Sequence, residues 1–99
     1  MTDSYEFTAT LWAWEARREL WVFASLPEDA SDAIADRPRP PSAFGAVKVD
    51  VRLGASWWQT SIFPDAGRGT YVLPIKKSVR AAAGVGVGDA VELRVELVE

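Results

Sequence analysis

The stretch from Phe44 to Glu99 constrains this chain most, because it alternates, turns and alternates again with little interruption. Val47, Val49, Val51 and Leu53 interleave with Lys48, Asp50 and Arg52; Gly54-Ala55 breaks the run, and Trp57 to Phe63 returns. A period of two sorts side chains onto the two faces of a sheet. An even loop at Gly54-Ala55 places Trp58, Thr60 and Ile62 inside with the valines and sends Trp57, Gln59 and Ser61 outward with Lys48 and Arg52. Pro64 to Gly69 reads as a loop, and Thr70 to Ile75 as a strand whose Pro74 marks an edge or a strand end. Ser78 to Ala83 reads as a short helix closed by Gly84. Gly88-Asp89 then turns into a last strand, Ala90 to Val98.

The first half follows the same grammar. Tyr5, Phe7, Ala9, Leu11 and Ala13 alternate with Glu6, Thr8, Thr10, Trp12 and Trp14. After a polar turn at Glu15 to Arg18, Leu20, Val22, Ala24 and Leu26 alternate with Trp21, Phe23 and Ser25, which predicts a hairpin. Pairing Trp14 with Glu19 sets Trp12 opposite Trp21; a two-residue turn yields the same facing sets. Both faces are then apolar, so the aromatic face calls for cover as well. Pro27-Glu28-Asp29 starts a helix with a stripe of Ala30, Ala33 and Ile34, stopped by Pro38 and followed by the extended linker Arg39 to Ser42. The expected fold is all-β, mainly strands with two short helices: a small six-stranded β-barrel forming a single domain over residues 1–99.

Composition narrows the chemistry. With 48% apolar and 25% charged residues, the chain of 99 residues reads as globular. It has no cysteine and no histidine, which removes disulfides, thiolate metal sites, Ser-His-Asp triads and histidine phosphotransfer. No catalytic residue, cofactor or metal site is expected. Glu28, Asp29 and Asp32 read as acids complementing a helix N-terminus. No apolar run approaches a membrane span, and MTDSYEFT lacks a secretory pattern, so a cytoplasmic location is expected.

Two groups of side chains are candidate binding sites. Arg68, Lys76, Lys77 and Arg80 are the only basic cluster, suited to an anion or a phosphate backbone, although the net charge of −3 favours a merely solvated surface. Trp12, Trp14, Trp21 and Trp57, with Phe23, are the second group. They are read as a core under the two helices, with Ala30, Ala33, Ile34, Val79 and Ala82 as cover, as a homodimer interface, or as an apolar pocket. Core comes first for Trp21 and Phe23, interface for Trp14 and Trp57. Stacking on a single-stranded nucleic acid is a further use of such rings.

Three ordered pieces carry a family resemblance: WWQTSIFP at Trp57–Pro64, YVLPIKKSVR at Tyr71–Arg80 and GDAV at Gly88–Val91. With LWAWEARRELWVFASLP before them, they resemble the bacterial and archaeal domain of unknown function DUF1905. That resemblance implies a barrel of the double-split class, which also holds the AbrB and MazE proteins; it brings no established activity. Some relatives in that family are bacteriocin-protection proteins, usually with an extra domain. The expected role is a non-catalytic binding or interaction module, a homodimer or the receiver of a protein or small-molecule partner. The alternative is a nucleic-acid-binding regulator, by analogy with AbrB and MazE; an enzyme using lysine or a carboxylate ranks last.

Overall fold

The computed structural model describes residues 4–16, 19–37 and 45–98. In chain order these form β1 (Ser4–Thr10), β2 (Trp12–Ala16), β3 (Glu19–Ser25), α1 (Glu28–Ala35), β4 (Val47–Leu53), β5 (Ser56–Asp65), β6 (Thr70–Pro74), α2 (Lys77–Ala83) and β7 (Ala90–Leu97). The seven strands make one antiparallel sheet in the order β1-β7-β4-β5-β6-β3-β2, curled into a half-barrel. Arg17 and Arg18 of the expected polar turn, Pro38 and the linker Arg39 to Ser42 lie outside the described residues.

Two runs of chain pass from one half of the sheet to the other. The first bends at Leu11, whose N–H donates to the Asp89 carbonyl and whose carbonyl accepts the Gly88 N–H, both at 2.9 Å. Up to Thr10 the run pairs with β7; from Trp12 it pairs with β3. The second is β5, which pairs with β4 along Ser56–Ile62 and with β6 along Phe63–Asp65. These two crossings join the halves of the sheet. They also explain why there are seven strands where the alternation suggests six: Leu11 divides the first run.

The register follows parity. Leu53 faces Ser56 across Gly54-Ala55, and Val47, Val49 and Val51 pair with Ile62, Thr60 and Trp58. Gly54 takes φ +60°, the conformation a two-residue hairpin turn asks of its first position. Trp58 is 8% exposed, whereas Trp57 is an exposed residue. The core gathers Leu11, Val22, Ala24, Leu26, the inward valines, Ile62, Leu73 and Ile75.

Both helices seal this inner core and leave the aromatic face uncovered. Ile34 of α1 and Val79 of α2 are buried in it, while Ala33 and Ala82 are exposed. The physical reason lies in where α1 starts. Leu26 N–H bonds the Tyr71 carbonyl at the end of β3, and the buried Ser31 hydroxyl accepts the Tyr71 N–H at 3.0 Å, so α1 is tied to β6. The reading of Trp21 and Phe23 as a second core under the helices is therefore corrected. Trp21 is an exposed side chain and Phe23 is half-buried. Pro74 ends β6, and Gly84 closes α2 with φ +68°. Among the described residues, no helix is long and apolar enough to cross a membrane.

Candidate functional site: an aromatic face with a stacked arginine

The outer face of β2, β3, β6 and the end of β5 carries the unusual chemistry. Trp14 pairs with Trp21 and Trp12 with Phe23 across the hairpin. Phe23 is level with Pro74, Ser25 with Val72, and Val72 with Phe63. Alternation therefore brings Trp12, Trp14, Trp21, Phe23 and Phe63 onto one side. Trp14 is 53% exposed, Trp21 45% and Phe63 38%.

The rings are ordered against one another. Trp12 and Phe23 lie 5.0 Å apart between centroids at 31°, and Trp21 and Phe23 lie 6.4 Å apart, nearly parallel. The Trp12 indole N–H donates to Ser25 Oγ at 2.9 Å, which fixes its orientation. Val72, buried, forms the floor beside Phe23. Between them runs an open groove of about 590 Å³ lined by Trp12, Trp14, Phe23, Val72, Asp65 and Arg68.

Arg68 reaches this face from the loop after β5. The Asp65 carboxylate accepts N–H groups from Gly67 at 3.0 Å and Arg68 at 3.3 Å, which turns the loop back. The guanidinium carbon then stands 3.5 Å above the Trp12 ring, a cation–π stack, with Nε 4.0 Å from Asp65 Oδ2. The other expected cations do not join this stack. Arg80 is half-buried, and its Nε–H donates to the Ile75 carbonyl at 3.2 Å. Lys76 caps α2 and Lys77 opens it, both exposed. The Ile75 N–H bonds the Val22 carbonyl at 2.9 Å, continuing the β3–β6 register, so Lys76 falls level with Trp21.

Trp57 belongs to a different part of the surface. It pairs with Arg52 at the start of β5, in a row continued by Arg94 and Glu6. Arg94 donates to Glu6 at 2.7 Å, and Gln59 donates to Asp50 at 3.0 Å on the next row. This half of the outer face is polar and carries Glu6, Asp50, Glu92 and Glu96. Glu28, Asp29 and Asp32 sit in the first turns of α1, where Asp29 accepts the Ala30 N–H. Among the described residues, no group of three or more His, Cys, Asp or Glu is gathered as a metal site requires.

Sequence reading placed Ser25 with Trp21 and Phe23 but missed Phe63, Val72 and Asp65 as members of the aromatic face. The parity of β5 and β6 was the available signal, since Phe63 and Val72 both alternate away from the valine side. Two indoles in water, a groove of ligand size and a stacked guanidinium equip this face to hold flat, apolar groups beside an anion. Among curated proteins, no match to the chain is found. The sequence across residues 7–95 matches the family described as a domain of unknown function, and on that extent the chain belongs to the DUF1905 family.

Proposed function

We propose that this chain is a non-catalytic, cytoplasmic binding module that takes its partner on the aromatic outer face of β2, β3 and β6. The observation carrying this reading is the paired Trp14 and Trp21, each about half exposed on a chain whose other large apolar residues mostly fill the core. Indoles left in water cost folding nothing and reward association, since tryptophan dominates binding hot spots. With Phe63 they expose on the order of 300 Å² of aromatic surface. A stable dimer needs about 800 Å² per partner. The three rings are thus large enough for a hot spot, and a stable dimer would have to bury residues around them as well.

Equilibrium unfolding tests the reading. Trp14→Ala and Trp21→Ala should each cost less than about 1 kcal/mol, as half-exposed rings do when they serve binding. A cost above about 3 kcal/mol, the range for aromatic residues in a core, returns them to the fold and sinks the module. Sedimentation of concentrated protein then addresses the homodimer. A two-chain species lost in both variants makes a second copy the partner; a monomer leaves the face for another molecule.

A further inference from the structure

We infer that the occupant of this face is a single-stranded nucleic acid, its bases stacked on Trp14 and Trp21 and a phosphate held by Arg68. The inference rests on the binding-module reading and adds the chemistry of the partner. Charge complementarity selects it. On the β1-β7-β4 half of the outer sheet Glu6, Asp50, Glu92 and Glu96 outnumber Lys48, Arg52 and Arg94 by one, whereas the described residues of the aromatic half include Arg68, Asp65 beside it and, level with Trp21, Lys76, where cations outnumber the acid by one.

The stacked pair matters most. The Arg68 guanidinium carbon stands 3.5 Å from the Trp12 ring centroid while the side chain stays about half exposed, and guanidinium N–H groups are donors suited to phosphate oxygens. Its present acid, Asp65, sits at 4.0 Å with both side chains partly exposed, a weak solvent-screened contact that a phosphate can displace without disturbing the stack. The groove of about 590 Å³ lies within the usual range for a bound small unit, here a base with its sugar. Aromatic platforms bordered by a few cations bind single strands with little sequence preference, because every base has a π face.

The test uses the full chain and a labelled oligothymidylate of about eight nucleotides, within the site sizes of such surfaces, followed by anisotropy and tryptophan quenching at low salt. Binding is expected, weakened about tenfold or more by Trp14→Ala and by Arg68→Ala. Arg68→Ala should also make the salt dependence shallower by about 0.7, the value of one phosphate on a single strand. Lys77→Ala should leave binding unchanged. Thymidine monophosphate binding as tightly as the strand overturns the strand in favour of a nucleotide pocket. A duplex of equal length binding as tightly overturns base stacking. Absence of binding at low salt overturns the inference outright. In that case the unfolding measurements on Trp14→Ala and Trp21→Ala still decide whether the face is a binding surface at all, so the two failures are distinguishable.

Discussion

Trp57 and Trp58 are neighbours in the chain, yet one side chain is 64% exposed and the other 8%, because the even Gly54-Ala55 turn fixes which parity points inward. The stability consequences should differ as sharply. Trp58→Ala is expected to cost about 3–5 kcal/mol in urea unfolding, and Trp57→Ala to stay within about 0.5 kcal/mol. Equal costs would contradict the register. The Trp58 indole N–H has no protein acceptor among the described residues, so Trp58→Phe should cost far less than Trp58→Ala, since it removes the donor and keeps most of the ring. Gly45 is constrained in another way. It takes φ +70°, and a Cβ there would stand 3.1 Å from Pro64 Cγ, so Gly45→Ala should destabilise by more than about 1 kcal/mol.

At the scale of elements, the docking of α1 depends on one hydroxyl. Ser31 is the buried polar residue of the helix, and it accepts the Tyr71 N–H of β6. Ser31→Ala leaves that amide buried and unpaired and should cost about 1–3 kcal/mol, with Tyr71 losing hydrogen-exchange protection ahead of the rest of β6. An unchanged midpoint would show that α1 is held by Ala30, Ile34 and the Leu26–Tyr71 bond without the Ser31 hydroxyl. The strands, the hairpin parity and the Gly84 helix end were legible because each follows from a local period or a local turn residue. The break at Leu11 was not. Alternation runs through it without glycine or proline, and the bend is imposed by bonds from Gly88 and Asp89, far along the chain. The destination of Arg68 was hidden for a similar reason. Its nearness in sequence to Lys76, Lys77 and Arg80 suggested one cluster, while the Asp65 carboxylate turns the loop toward β2 and the Ile75 carbonyl takes Arg80.

At the scale of the molecule, the fold divides its outer surface into a charged, hydrogen-bonded half and an aromatic half while both share one core. The sharing comes from the two crossing runs, so neither half of the sheet has a complete interior of its own. A chain ended at Gly88 loses β7 from between β1 and β4 and should show no cooperative thermal transition by circular dichroism. A retained sharp melt would mean that the β2-β3-β6 half folds by itself. The pairing of Ser4 with Glu96 has a consequence for how the protein is made. At about 5–20 residues per second, several seconds separate the emergence of the tryptophan hairpin from that of β7. Until then β1 has no partner, Leu11 has no turn to fasten it, and the indoles stand beside an unfinished interior. Synthesis therefore presents this chain to the cell at its stickiest well before it can fold, and the same rings suited to gripping a partner are the ones a chaperone would meet first.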